Sequence, residues 1–584
     1  MASDFAPDQK RYLEGFVAGA EAMRGARPSA PAVAPSPPTG PDAAHIAAQD
    51  ALTASGKKLA DQEKWKRAEH PFDAYARLKA QARAGAFPKR DDNFRWRYFG
   101  LFYVAPAQSS YMLRLRIPNG ILTHAQLDGL ADLAEHYGGG YAHVTTRANL
   151  QIREIAPSDA TAIVEAVQDL GLCSRGSGAD NIRNVTGGAT AGIDPQELYD
   201  TRPLAREWHF QVLNDRSLTG LPRKFNVAFD GGGRVATLEE TNDIGFQAVA
   251  IGEGGGVEPG VWFRVVIGGI TGHRDLARDV GVVCRPEECT PIAEAIVRAF
   301  VDAGDRTDRT KARLKYVLDR VGVDAFLAAV EAKLGRPLTR VAAAAIAPRP
   351  PVDRLAHIGV HRQAQPGLNW IGVALPVGRL SAEQMCGIAA VARDFGDGDV
   401  RLTVWQNLIV SGVADDQVEA AKAAIAALGL DWRASPLRAG LIACTGATGC
   451  KFAAAHTKEH ALELAAQLEP RIALDAPVNI HLTGCHHSCA QHYIGDIGLL
   501  AAKVGGGDDA EPVEGYTIVV GGGYAENARI GRELWREIPF DACGAKVEGL
   551  LRAYLGERSG PEESFQAFAG RHELDALKTL AEAQ

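Results

Sequence analysis

At 584 residues the chain is long enough for several domains, each with its own core. Its 46% hydrophobic and 23% charged residues are globular in balance, and a net charge of −8 argues against nucleic acid as the main partner. No run of about 18 apolar residues occurs, so no membrane span is expected. The N-terminus lacks the apolar core of a signal peptide, and Asp4, Asp8, Glu14 and Glu21 do not suit a transit peptide.

In chain order, residues 7–24 read as a short helix. Residues 27–42 carry six prolines in sixteen positions and read as an extended linker. Residues 111–117 alternate, with Leu113, Leu115 and Ile117 on one face and Met112, Arg114 and Arg116 on the other, as a strand requires. Thr123 is placed to cap an amphipathic helix over 123–136, and 143–153 is expected to return as a strand. Further strands are expected at 262–267 and 516–520, and Pro348-Arg349-Pro350-Pro351 marks a joint near the middle.

The halves on either side of that joint resemble each other. Ile117–Thr123 aligns with Leu375–Ser381, a shift of 258 from residue 117 to residue 375. Gln126 then meets Gln384, Val144-Thr145 meets Leu402-Thr403, and Asn149-Leu150 meets Asn407-Leu408 at the same shift. Cys289 and Arg298-Ala299-Phe300 meet Cys543 and Arg552-Ala553-Tyr554 at 254. So steady an offset points to a duplicated chain with pseudo-two-fold symmetry and mixed α+β class, its sheets more antiparallel than doubly wound.

The second half holds Cys444, Cys450, Cys485 and Cys489, spaced C-x5-C and C-x3-C. Zinc ribbons use tighter pairs, near C-x2-C, whereas an iron–sulfur cluster takes four soft thiolates from two loops. Buried, inert cysteines and a zinc-stabilised interaction module are the alternatives. The other five, Cys173, Cys284, Cys289, Cys386 and Cys543, read as reduced thiols packed in a cytosolic protein. The first half lacks the four cysteines but offers cations: Arg114, Arg147, Arg183, and Arg223-Lys224 followed by Asn226. Guanidinium groups fork onto carboxylates, so several together suit a polyacidic cofactor, although any one alone suits an ordinary salt bridge.

The motifs taken together are more specific. Met-Leu-Arg114-Leu-Arg-Ile-Pro-Asn-Gly, Thr-Thr-Arg147-Ala-Asn-Leu-Gln151, Asp-Asn-Ile-Arg183-Asn-Val, Leu-Pro-Arg223-Lys224-Phe-Asn226 and the four cysteines occur in this order. Over roughly residues 93–575 they resemble the sirohaem-dependent nitrite and sulfite reductases, and among these the ferredoxin-dependent assimilatory nitrite reductases. The resemblance implies an α+β, internally duplicated nitrite/sulfite reductase fold with two ferredoxin-like half-domains and two sirohaem/[4Fe-4S] domains. The expected division is an arm and linker over 1–92, the first half-domain over 93–160 and the first sirohaem domain over 161–347. The second half-domain follows over 348–430, and the cluster domain over 431–575.

By that resemblance Cys444, Cys450, Cys485 and Cys489 would hold a [4Fe-4S] cluster, and Cys489 would also be the axial thiolate of sirohaem. Arg114, Arg183, Lys224 and Asn226 would bind the substrate anion. Arg147, Gln151, Arg223, Lys311 and Arg313 would contact the macrocycle or its carboxylates. The activity implied is the six-electron reduction of nitrite to ammonia; sulfite reduction to sulfide is the alternative. Sulfite-type relatives usually have a second lysine where this chain has Asn226, and some have a cysteine where it has Gly178. Both differences favour nitrite. Where the family commonly has Pro-Asn in the last cysteine loop, this chain has His486-His487, which suits either a structural turn or hydrogen bonding to sulfur.

No G-x-G-x-x-G fingerprint is present, so reduced ferredoxin, an acidic protein, is the expected electron donor, in the cytoplasm. Residues 57–97 carry twelve Lys/Arg against six Asp/Glu and are expected to contribute to its docking face.

Overall fold

The computed structural model describes residues 38–505 and 511–584, with Asp8, Arg11, Tyr12 and 14–17, which are helical. The rest of the helix expected over 7–24, and the linker over 27–37, lie outside the described residues.

The strand expected over 111–117 is shorter, Tyr111–Arg114, with Arg116 held by an isolated bridge to Cys173, but Leu113, Leu115 and Ile117 are fully buried as the alternation requires. Helix His124–Tyr137 opens on a capping box. Thr123 accepts from the Gln126 N–H while the Gln126 side chain accepts from the Thr123 N–H. Ser381 and Gln384 repeat this at the start of Ala382–Phe395. Each box satisfies two otherwise orphaned groups, and losing the capping hydroxyl costs about 1 kcal/mol.

The expectation of one strand over 143–153 is corrected. Tyr141–Val144 and Leu150–Ile155 are two strands of a hairpin, pairing Ala142 with Ile152 and Val144 with Leu150. The Thr145 N–H donates to the Asn149 carbonyl at 2.9 Å, and Ala148 takes a left-handed φ of 44°, so the chain reverses without a glycine. Arg147 therefore sits at a hairpin tip, not along a strand. Thr403 and Asn407 close the equivalent turn in the second half, with Gln406 at φ 59°.

The two halves exchange strands. One antiparallel sheet runs Leu101–Tyr103, Tyr111–Arg114, Leu150–Ile155, Tyr141–Val144 and then Arg379–Ser381 from the second half. Its counterpart runs Gly359–Arg362, Leu368–Val373, Leu408–Ala414, Asp399–Leu402 and then Ile121–Thr123 from the first. Helices His124–Tyr137 and Ala382–Phe395 pack against each other, and one hydrophobic core spans both sheets.

The other two sheets also match. Thr186–Gly187, Val227–Asp230 and Ile244–Ile251 are parallel, with Gly260–Ile267 and Arg278–Cys284 antiparallel beside them. Leu441–Ala443, Ile480–Thr483 and Ile497–Val504 are parallel, followed by antiparallel Val513–Val520 and Arg532–Pro539. The class is thus α+β with two antiparallel and two mixed sheets. Among the described residues no helix is long and apolar enough to cross a membrane.

Several histidines are buried without an acid partner. Burial pulls His357 down to about 4, and burial with the Arg116 charge pulls His209 down to about 3. Both lie below the unfolded value of 6.5, so their contribution to stability is complete above pH 6.5 and is lost as the pH falls towards 4. Each changes stability by up to about 1.4 kcal/mol per pH unit in that window. Thermal melts should therefore show a falling midpoint from pH 7 to pH 5, and His357→Gln should flatten that slope; an unchanged slope would remove His357 from the account.

Candidate active site

Cys444 follows Leu441–Ala443, and Cys485 follows Ile480–Thr483 after one intervening residue. These strands are parallel neighbours, with Ala443 opposite Leu482, so their C-terminal ends bring the two loops together. The Gly484 N–H donates to Cys444 Sγ at 3.1 Å, and Thr457 Oγ1 lies 3.5 Å from the same sulfur. Arg153 donates to the Gly449 carbonyl at 2.6 Å, and a side chain at Gly449 would collide with that guanidinium. Burial pushes the Cys485 thiol up to about 12, with Cys489, Cys450 and Cys444 all adding to the rise. Cys489 is raised by burial and then by Cys444 and Cys450, while Lys224 and Arg114 oppose the rise.

Among the described residues no three His, Cys, Asp or Glu side chains converge on a single ion position. A cubane cluster needs no such convergence, because each thiolate binds its own iron at a separate corner.

Cys489 is the most exposed of the four cysteines and lies where the two halves meet, a cleft only in the sense that each half supplies one side. Thr146 donates to the Cys489 carbonyl at 2.8 Å, so the hairpin tip of the first half reaches the cysteine loop of the second.

The expected cations all belong to the first-half side of this junction. Arg114 pairs across the sheet with Gln151, its guanidinium 4.6 Å from the Phe102 ring. Arg147 donates to Asn242 Oδ1 at 2.7 Å and the Asn184 carbonyl at 2.6 Å. Arg183 donates to the carbonyls of Ser177 and Ala179 at 2.8 and 2.7 Å. Phe225 is fully buried between half-exposed Lys224 and Asn226. Burial lowers Arg147 to about 9, and burial with neighbouring cations lowers Arg114 to about 10, Arg223 to about 10 and Lys224 to about 7.

Among the described residues neither Arg114 nor Lys224 has a carboxylate partner, and Arg147 Nε, Arg183 Nε and Asn226 Oδ1 are buried without a hydrogen bond. Concentrating unpaired cations costs free energy in the empty fold, and a polyanionic group together with a small anion would satisfy them. The residues present fit sirohaem and its substrate, as the thiols fit a cluster.

Two expected residues stand differently. Arg313 is locked bidentate onto Asp243 at 2.6 and 3.0 Å, and Asp243 also accepts from the Asn226 N–H at 2.8 Å. Arg313 therefore braces Asn226 through Asp243 rather than standing as a free cation. Lys311 is exposed, with no side-chain partner among the described residues, and nothing ties it to the cleft. His487 Nδ1 lies 3.2 Å from Cys485 Sγ, so of the histidine pair His487 engages sulfur as well as belonging to the turn.

Two residues beside the site, Arg153 and Lys458, had escaped the sequence reading, as had the pairing of a third, Arg309, which opens the basic segment 309–316 that resembles a family segment near the sirohaem. Arg153 lies two positions after Gln151, a spacing that was legible. Lys458, lowered to about 7 by burial despite nearby Cys444, has no motif to announce it. Arg309 holds Asp180 bidentate at 2.6 and 2.8 Å, and only the fold brings the two together.

Residues 178–338 and 438–564 match the nitrite and sulphite reductase 4Fe-4S domain, and residues 105–170 and 361–428 match the nitrite/sulfite reductase ferredoxin-like half domain. A ferredoxin–nitrite reductase of Leptolyngbya laminosa is 36% identical over 85% of this chain and 97% of its own. A ferredoxin sulfite reductase of Mycolicibacterium paratuberculosis is 30% identical over 89% and 96%. The solved Mycobacterium tuberculosis NirA protein superposes with a TM-score of 0.82 at 28% identity, covering 90% of this chain and 99% of that one. With both halves of the duplicated architecture matched, the chain belongs to the nitrite and sulphite reductase family.

Proposed function

We propose that the chain reduces nitrite to ammonia with electrons from ferredoxin, and that Arg114, Arg183, Lys224 and Asn226 receive the substrate anion. The observation that carries the reading is the group of cations without carboxylate partners, with Arg147 Nε and Arg183 Nε buried and unbonded among the described residues, beside the cysteine loop that Thr146 touches. Cys444, Cys450, Cys485 and Cys489 would hold the [4Fe-4S] cluster, with Cys489 also ligating sirohaem. Arg147, Gln151 and Arg223 would meet the macrocycle and its carboxylates. When bound, the cluster supplies electrons singly and the sirohaem iron supplies the centre at which N–O bonds break.

The overall change takes up six electrons and eight protons and releases ammonium and two waters. Arg183 is pre-aimed by the Ser177 and Ala179 carbonyls, so its charge meets the anion with little reorganisation. Lys224 is the group able to give up a proton near neutral pH; a guanidinium holds its own too tightly.

Nitrite is favoured over sulfite by charge. Asn226 supplies one cation fewer than a second lysine would, which suits a monoanion better than the largely dianionic sulfite. At Gly178 a side chain would collide with the Arg97 carbonyl and the Phe102 ring, so the cysteine of some sulfite-type relatives has no room. Asn226→Lys should move the ratio of kcat/KM for sulfite over nitrite upward by roughly 10-fold, about 1.4 kcal/mol. An unmoved ratio would take Asn226 out of the specificity argument.

The basic stretch over 57–97 is weaker as a docking face than its composition implies. Lys66 and Arg95 are buried, and Lys64, Arg67, Arg77 and Lys79 pair with Asp61, Asp50, Asp92 and Glu165. Lys57, Lys58, Arg83 and Lys89 remain exposed without an ion pair among the described residues. Any salt-dependent steering of an acidic ferredoxin from this segment rests on them.

A further inference from the structure

We infer that Lys66, in a segment preceding both matched family domains, is a positioning residue that clamps the two loops receiving the substrate anion. The inference rests on the reading of Arg183 and Lys224 as anion-binding residues. Lys66 lies on helix Asp61–Ala68 and is buried. Its ammonium donates to the carbonyls of Gly220 at 3.1 Å and Leu221 at 2.9 Å, and to Asp180 Oδ2 at 3.4 Å; it also pairs with Glu63. Gly220-Leu221 stands immediately before Pro222-Arg223-Lys224, and Asp180 stands three residues before Arg183.

These two loops are zipped to each other. The Leu221 N–H donates to the Asp180 carbonyl at 2.9 Å, the Phe225 N–H to Asn181 at 3.0 Å and the Arg183 N–H to Phe225 at 2.8 Å. Lys66 closes the open end of this ladder, and no other donor among the described residues reaches the Gly220 or Leu221 carbonyl. Helix Asp61–Ala68 is in turn anchored from the far side. The Ala60 N–H donates to the Arg306 carbonyl at 2.9 Å, and Arg306 donates to Glu63 at 2.7 Å and lies 3.1 Å from His45 Nδ1.

A buried ammonium is costly to desolvate, and an apolar side chain would serve packing as well or better. What the ammonium adds is direction: its three N–H donors are shared among two backbone carbonyls and the carboxylates of Glu63 and Asp180, fixing the approach of Arg223 and Lys224 to the cleft. Loosening that approach weakens the hold on the bound anion, a loss that appears in KM rather than in kcat.

Lys66→Met tests this in the holoenzyme. Glu63 keeps Arg306 and Asp180 keeps Arg309, so neither acid is left as an unpaired buried charge. The expected result is a rise of about 10-fold in KM for nitrite with kcat within about threefold, corresponding to about 1.4 kcal/mol of lost anion binding. Amide exchange of peptides covering 180–184 and 220–227 should quicken while that of 111–117 does not change. An unchanged KM, or faster exchange spread evenly through the chain, would overturn the clamp and leave Lys66 a plain stabiliser.

Lys66→Gln, which keeps a donor but no charge, should raise KM by at least about threefold; if the methionine variant does not fold, an unchanged KM here overturns the clamp. Wild-type protein that carries both cofactors but does not reduce nitrite would refute the proposed function instead, and the local exchange of 180–184 and 220–227 would still decide the clamp.

Discussion

Replacing Cys489 by serine should reduce nitrite turnover by at least about 1000-fold and strip the visible spectrum of both its cluster and its sirohaem features. Serine nearly matches the shape of cysteine but replaces a soft thiolate with a hard, poorly ionised oxygen. Cys489 is the thiol on which both groups of the site act: Cys444 and Cys450 raise it, and Lys224 and Arg114 oppose them. Iron and acid-labile sulfide content, the absorption spectrum and turnover read the effect together. Cys284→Ser is the control, because Cys284 is fully buried in the core of the first half, among residues such as Ile292 and Phe300. Retention of both chromophores by Cys489→Ser would contradict the shared role given to this thiolate.

Replacing Lys224 by methionine should lower kcat/KM for nitrite by about 100- to 1000-fold, or roughly 3–4 kcal/mol, the usual loss when one preorganised donor is removed from a transition state. The same variant should leave the cofactor-free protein no less stable, and its melting midpoint should rise. Lys224 is held well below its ordinary pKa by burial and by Arg313, Arg183 and Arg223, so removing it relieves desolvation and repulsion. Lys224→Arg separates two duties. Charge is restored and KM should recover, while kcat should stay low because the guanidinium does not release its proton near neutrality. Equal recovery of both constants would deny Lys224 its part in proton delivery.

The parts of this fold that were legible in the sequence are local ones. The cap at Thr123 with its counterpart Ser381, and the recurrence of Val144-Thr145 and Asn149-Leu150 as Leu402-Thr403 and Asn407-Leu408, are short patterns of hydroxyl, amide and apolar residues, so the 258-residue repeat stands out in them. The strand exchange was not legible. Leu380 pairs with Ala142 and Val400 with Leu122, and no local pattern records a partner so far away in sequence. The hairpin within 143–153 was hidden because Ala148 takes the left-handed turn position that glycine or asparagine ordinarily marks.

The site divides in the same way. Cysteine spacing and arginine motifs identify the thiols and most of the cleft cations. Composition misleads where pairing decides: Arg313 is occupied by Asp243, and the positive excess over 57–97 is largely neutralised by its neighbours. Lys66 and Lys458 belong to no motif, and only their burial against backbone carbonyls singles them out.

The most direct test compares kcat/KM for nitrite and sulfite on the purified holoenzyme with reduced ferredoxin, counting ferredoxins oxidised per ammonium formed. A preference for nitrite of about 10-fold or more, with six electrons consumed per ammonium, is the expected result. A preference for sulfite, or no reduction of either anion by protein carrying both cofactors, would contradict the account.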